Sequence, residues 1–491
     1  MGRRLLKPFN LIMKPHRQTK IIFTIGPTTE SEEMLRRLIL EGVDICRINM
    51  AHATHEWTKT ICRRIRKVCK EVGRDIALLM DVKGPEIRTN SREDVIELKV
   101  GDKVELLYEN DPEIKVSKED GLVIGINYPL FHEDISVKDI VLVDNGLIGL
   151  HVDQIVENRV FATVKEGGPL GSKRHINLPG VRVNLPSLTQ KDLADLKVAF
   201  EENIDFVALS FVREPDDIDL LRSFLNEHQS RAKIIAKIEE QQGLKNLEAI
   251  TKASDGVMVA RGDLGIECPL EELPIIQHKM IKGAILEGKF VIVATHMLES
   301  MIHAPVPTRA EVSDIANAIL EQSDCVMLSG ETTTGKYPLE CVRVINKISG
   351  RMEALMTPKL TEGLDLKHPK AMMLRSAATL AMDLKNTSIL LFTRSGYLPR
   401  TISSLRPNKV PVFAFTDVPH IYKSMHIQWG IEPFLIDFDD ENPERTVHQA
   451  IEILTAKNWI QQDEYIVTMT NLFNRGGTIE SIQLRSLEEM G

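Results

Sequence analysis

Between residues 20 and 329, short runs rich in Val, Ile and Ala alternate with longer amphipathic stretches. This alternation limits the fold severely, because a strand that is apolar on both faces must be covered on both. The spacing predicts strands over 20–24, 44–49, 76–82, 206–210, 233–239, 256–261, 290–295 and 325–329. Helical patterns fill most of the intervals, as at 215–228 and 270–287, which makes successive strands parallel. Eight such units over about 250 residues, with one insertion set aside, fit a (β/α)8 TIM barrel.

The insertion spans 90–183 and has a different texture. Val and Ile alternate with charges over 94–105, and Asp144-Asn145-Gly146 is a strong hairpin turn. An all-β domain entering after the third barrel strand emerges on the catalytic face, where it can serve as a lid. The barrel is thus assigned to 19–89 and 184–355. Beyond it, residues 356–491 resume the α/β alternation, with strands expected at 388–393, 410–416, 432–437 and 464–470. That is too short for a second barrel and fits an open, mostly parallel sheet.

Composition narrows the class. At 491 residues, 43% hydrophobic and 27% charged, the chain is an ordinary globular protein of about three domains. No apolar run reaches the roughly 18 residues of a membrane span. Lys and Arg number 61 against 70 Asp and Glu, a net charge of −9, which argues against nucleic acid as a partner. The six cysteines form no C-x-x-C pair and read as reduced thiols of a cytoplasmic protein. Residues 1–18 carry Arg3, Arg4, Lys7, Lys14 and Arg17 without an apolar core, and read as a mobile basic arm rather than a signal peptide.

Chemically capable residues gather where barrel strands end, and in this fold those ends build the active site. Strand two ends in Arg47 and Asn49. Strand three is followed by Asp81-Val82-Lys83-Gly84-Pro85-Glu86-Ile87-Arg88. Alternation points Lys237 and Glu239 to one face of strand five. Strand six ends in Arg261-Gly262-Asp263, strand seven at Thr295, strand eight at Ser329-Gly330-Glu331. Glu239 and Asp263, with no histidine or cysteine between them, are hard ligands suited to Mg²⁺. Lysine and arginine on the same rim offset charge on a transferring phosphoryl group or an enolate. The glycines of 260–265 allow a backbone nest for a carboxylate or phosphate. Residues 330–336 read G-x-x-x-x-G-K like a P-loop, but Tyr337 stands where the Mg²⁺-ligating hydroxyl belongs, so this match is set aside.

Seven stretches in order carry a resemblance: TKIIFTIGP (19–27), KGPEIRT (83–89), NLPG (177–180), SDGVMVARGDLGIE (254–267), ATHMLESM (294–301), PTRAE (307–311) and LSGET (328–332). Together they resemble the pyruvate kinase family over nearly the whole chain. The resemblance implies a phosphotransferase of glycolysis that moves the phosphoryl group of phosphoenolpyruvate to ADP. It implies that Arg47 and Arg88 contact that group and that Lys237 stabilises it in flight together with the enolate oxygen. Glu239 and Asp263 would hold Mg²⁺ or Mn²⁺, and Thr295 would face the enolate carbon. Backbone amides at Gly262 and Asp263 would hold the substrate carboxylate, and His52 and Arg174 would meet the nucleotide. Asn49, Asp81 and the Val82 carbonyl would hold K⁺. There the sequence departs from the family: Ala51 replaces the usual serine, although Glu86 is retained, and His296 stands where glutamine is usual.

The resemblance further implies a homotetramer and a phosphorylated effector bound at Thr393, Ser395 and Gly396, near Arg400. Tyr397 and Leu398 replace polar residues there, and 475–477 match weakly, so an ordinary strand-to-helix turn remains the alternative. A lyase or aldolase on the same barrel would not need Arg47, Lys237 or the lid. A degenerate metabolite sensor would not need Lys237, Glu239, Asp263 and Thr295 intact.

Overall fold

The computed structural model describes residues 17–109, 122–356, 361, 363–474 and 477–488. Eight parallel strands close into a barrel in chain order. They are β1 (Lys20–Thr24), β2 (Ile45–Asn49), β3 (Ala77–Asp81), β4 (Phe206–Leu209), β5 (Lys233–Ile238), β6 (Gly256–Ala260), β7 (Phe290–Ala294) and β8 (Cys325–Leu328). The seam closes with Lys20 opposite Cys325 and Phe23 opposite Leu328.

The side-chain period of two divides each strand between two cores. Ile22, Ile45, Leu79, Phe206, Ala208, Ile235 and Ile292 fill the lumen. Their neighbours Ile21, Phe23, Cys46, Leu78, Val207, Ala236 and Val293 pack outward against the helices. The lumen rows therefore run upward into Arg47 and Asn49 on β2, Asp81 on β3, and Lys237 and Glu239 on and just beyond β5. The chemistry at the rim is the top layer of the same parity that fills the barrel.

A seven-stranded sheet and a two-stranded one form the insert. Asp144, Asn145 and Gly146 all have positive φ and turn the hairpin between Ile140–Val143 and Ile148–Val156, as the sequence predicts. One boundary differs from the expected 90. Ile87 and Arg88 pair antiparallel with Ile176 and His175, so they already belong to the insert's sheet.

The C-terminal domain is a five-stranded sheet in the order Ile431–Leu435, Val412–Thr416, Thr387–Phe392, Tyr465–Asn474, Gly477–Ser486, parallel except for the last pair. It docks on the barrel floor. Arg406, 2% exposed, grips Asp324 with both guanidinium arms at 2.9 and 3.0 Å, and the Trp429 amide reaches the same carboxylate.

Arg17 does not belong to a free arm. It is 6% exposed, and its guanidinium reaches Asp44 Oδ2 and the Gly42 carbonyl, both at 2.6 Å. A buried carboxylate at the entry to β2 requires a cation, and the chain just before β1 supplies it. Arg3, Arg4, Lys7 and Lys14 lie outside the described residues, as do Arg475 and Gly476 of the later loop. All six cysteines are free, and burial pushes the Cys62 thiol up to about 12 and Cys69 to about 11.

Candidate active site

The rim is organised around one ammonium. Lys237 Nζ donates to Ser210 Oγ at 2.7 Å and lies 2.8 Å from Glu239 Oε1 and 3.2 Å from Asp81 Oδ1. Ser210 in turn donates to the Val82 carbonyl at 2.8 Å. Arg47 lies 2.6 Å from Asp81 Oδ2, and another of its arms donates to Thr24 Oγ1. Glu239 Oε2 accepts the Phe211 amide at 2.7 Å. Asp81 and Glu239 are 1% and 2% exposed, so each charge stands in a low-dielectric site where pairing is strong and loss of a partner is costly.

The titration of these groups follows from that burial. Burial would raise Asp81, but Lys237 and Arg47 outweigh it and hold the carboxyl below its usual range. Burial would lower Lys237, and Asp81 and Glu239 hold the ammonium above its usual range instead. Glu239 and Asp263 are both pushed up, chiefly by burial, and the Asp263 charge adds to the rise at Glu239. Thus Glu239, even with Lys237 at 2.8 Å, and Asp263 still carry a deficit of positive charge.

That deficit fits a divalent cation. Both donors are oxygens, and Mg²⁺ takes one or two carboxylates and completes its shell with water and substrate oxygens. Among the described residues no three His, Cys, Asp or Glu side chains gather as a closed cage. The expected K⁺ donors are oxygens as well, each already in use. Asp81 serves Arg47 and Lys237, the Val82 carbonyl serves Ser210, and Asn49 Oδ1 accepts the Ala51 amide at 3.1 Å.

Across the lumen, Thr295 and His296 hold left-handed backbone, with φ of 67° and 54°. For a β-branched residue this conformation costs about 1–3 kcal/mol and persists only where the surroundings enforce it. Arg261 enforces it. It donates to the Thr295 carbonyl at 2.7 Å and pairs with Asp314 at 2.7 Å. The Gly262 amide, expected to face a substrate carboxylate, donates instead to Thr295 Oγ1 at 2.7 Å, and that hydroxyl donates to the Ala294 carbonyl. Asp263 follows within the short helix Arg261–Glu267. A cavity of about 750 Å³ opens beside Gly262, Asp263 and His296 and is bounded by Asn145 of the insert's hairpin, so the insert overhangs the rim.

Arg88 carries its charge in the insert's sheet. It pairs with Glu86 at 2.7 Å and donates to the Lys173 carbonyl, while Glu86 also meets Lys83 at 3.0 Å. Arg174 is half-exposed, 3.3 Å from Asp144, and His52 is exposed at the turn after Asn49. Neither touches the Lys237 cluster. Thr393, Ser395 and Gly396 sit in the C-terminal domain, where Thr393 Oγ1 accepts the Gly396 amide and Ser395 Oγ the Tyr397 amide. Beyond β8, the Glu331 carboxylate accepts the Ser329 and Leu298 amides, and the amides from Thr332 to Lys336 bond the Ser329, Gly330 and Ile302 carbonyls, so that turn braces the barrel and leaves no cradle of free amides for a phosphate.

Sequence reasoning missed Ser210 and the bracing role of Arg261. Ser210 follows β4 directly, and its position at a strand end was the one available signal.

A buried ammonium flanked by carboxylates and arginines at a barrel rim is built to handle phosphoryl groups, and the chain is a phosphotransferase of the (β/α)8 class. Comparison with known proteins is specific. The pyruvate kinase barrel-domain family model matches residues 16–342, and the pyruvate kinase alpha/beta-domain model matches 371–483. A pyruvate kinase of Geobacillus stearothermophilus is 40% identical over 423 residues, covering 84% of this chain and 71% of the relative. One from Staphylococcus aureus strain MRSA252 is 40% identical over 424 residues, covering 85% and 71%. The chain belongs to the pyruvate kinase family.

Proposed function

We propose that the rim around Lys237 transfers the phosphoryl group of phosphoenolpyruvate to ADP, giving pyruvate and ATP, and that the residues gathered there divide the work as follows. The observation that carries this reading is the Lys237 ammonium, held at fixed distances from Ser210, Glu239 and Asp81. Arg47 and Arg88 bind the phosphoryl oxygens, and Lys237 neutralises charge on the group in flight and on the enolate oxygen. Phosphoryl transfer needs positioning and charge neutralisation rather than a protein nucleophile, which matches a rim built from lysine, arginine and carboxylate side chains. Glu239 and Asp263 hold the divalent cation, which when bound supplies positive charge to the phosphoryl and enolate oxygens. The backbone amides of Gly262 and Asp263 orient the substrate carboxylate, with the Gly262 amide exchanging Thr295 for substrate. The Thr295 hydroxyl, held by its hydrogen bond to the Ala294 carbonyl, holds the water that protonates the enolate carbon.

Asn49, Asp81 and the Val82 carbonyl hold K⁺, with water in place of the hydroxyl that Ala51 lacks. Equal turnover in K⁺-free and K⁺-containing buffer would remove that assignment. His52 and Arg174, both accessible beside the rim, meet the nucleotide. Thr393, Ser395 and Gly396 form the edge of an effector site. Exposed Leu270, Ile275 and Val306 support self-association to a homotetramer, checked by sedimentation. The free cysteines support a cytoplasmic setting.

The test is ADP-dependent pyruvate formation with and without Mg²⁺. Lys237→Met is expected to cut turnover by about 10³-fold while phosphoenolpyruvate still binds. Undiminished turnover would overturn the role given to Lys237.

A further inference from the structure

The insert is tied to the barrel by two clasps of different reach. In the first, Arg213, just beyond β4, donates to the Val183 and Leu185 carbonyls of the chain returning from the insert. That clasp reaches only the backbone of the returning segment. In the second, Asn177 Nδ2 donates to Glu267 Oε1 at 3.1 Å, and both residues are buried. Together with Arg213 they line a cavity of about 40 Å³ between insert and barrel.

Three parts of the rim converge on Glu267. It closes the short helix Arg261–Glu267 one turn after Asp263, so the two carboxylates share a face of that helix. Its backbone carbonyl accepts Gln241 Nε2 at 2.6 Å, and Gln241 lies two residues beyond Glu239. Its side chain grips the insert strand His175–Asn177, in which His175 is the ladder partner of Arg88. Burial pushes the Glu267 carboxyl up to about 7, with the Asn177 hydrogen bond acting against that rise. A buried polar link of this kind fixes one arrangement where an apolar contact would allow several.

We propose that Glu267 is a positioning residue for the divalent cation: through Asn177 it fixes the helix of Asp263 against the insert strand that pairs with Arg88. The inference rests on the assignment of Glu239 and Asp263 to that cation. In this role Glu267 touches neither the ion nor the substrate. Without the link to Asn177, Asp263 must be ordered as the ion binds, and that cost is read as lost affinity.

The test is Mn²⁺ binding to the full chain without substrates, followed by loss of the free ion's electron paramagnetic resonance signal. The expected result is about tenfold weaker binding in Glu267→Ala and in Asn177→Ala, with the double variant no weaker than either single one. Glu267→Gln retains the acceptor oxygen and is expected to bind Mn²⁺ as the parent chain does. If Glu267→Ala does not fold, Asn177→Ala tests the same bond from the insert. Asp263→Asn is the reference: Mn²⁺ binding unaffected there removes the metal assignment, and the proposal with it. Weakened binding in Asp263→Asn beside unchanged binding in both alanine variants, or Glu267→Gln as weak as Glu267→Ala, would overturn the proposal alone.

Discussion

All three protons of the Lys237 ammonium have acceptors on the protein, at 2.7, 2.8 and 3.2 Å. A phosphoryl oxygen can therefore reach it only by replacing one of them, and the longest contact, to Asp81, is the weakest. Ser210 is the neutral partner, and under the role proposed for Lys237 it would keep the ammonium aimed while the charged ones exchange. Ser210→Ala is expected to lower kcat about tenfold, the worth of one hydrogen bond to a charged group, with KM for phosphoenolpyruvate unchanged. In a Lys237→Met background the same substitution should cost nothing further, because its effect runs through the lysine. A loss that adds in full would mark Ser210 as merely structural. Nothing in the sequence around Ser210 distinguishes it from other strand-end serines, because its significance lies in a contact with a residue 27 positions away.

Among the elements, the barrel strands were legible because their period of two and their helical intervals admit few alternatives. Their ends differ from expectation by a residue or two, as strand ends ordinarily do. The same period sets Lys237 and Glu239 on one face of the fifth strand. What local pattern could not reveal was pairing across long separations. Arg88 joins the insert because Arg88 and His175 share a ladder, and Arg17 leaves the arm because Asp44 lies buried beneath it. The P-loop-like glycines mislead for a related reason, since the loop's amides from Thr332 to Lys336 are already bonded to the Ser329, Gly330 and Ile302 carbonyls.

Asp205, at the entry to β4, offers a test at this scale. Burial raises its carboxyl to about 6, while its Oδ2 accepts the Leu78 amide at 2.8 Å. A carboxyl raised above its unfolded value near 3.9 favours folding when protonated, so its contribution is fully present below about pH 4 and is lost as pH rises through about 6. Asp205→Asn keeps the acceptor without the charge. It is expected to stabilise the protein by about 2 kcal/mol at pH 8 and by little at pH 4. Denaturant melts at the two pH values check this, and an equal effect at both would remove titration as the cause.

The whole molecule is held together beneath the barrel, opposite the chemistry. Asp324 receives Arg406, the Trp429 amide and the Val291 amide, and Glu353 receives the Gln18 and Thr19 amides. Neither pair of partners is close in sequence, so this anchorage could not be read there. Arg406→Ala leaves Asp324 buried without its main cation, which typically costs about 3–5 kcal/mol. Calorimetry should show the C-terminal domain melting earlier, as a step of its own. A single unshifted transition would show that the anchor is dispensable.

Arg47 stands on the barrel, whereas Arg88 stands on the sheet of the insert. The two cations assigned to one phosphoryl group therefore belong to separate bodies joined at a crossing of the chain. Their separation is decided by how the insert rests on the barrel, not by either body's own core. A substitution that tilts the insert, however far from the rim, alters the field at the reacting group, so the insert acts as an adjustable electrode as much as a cover.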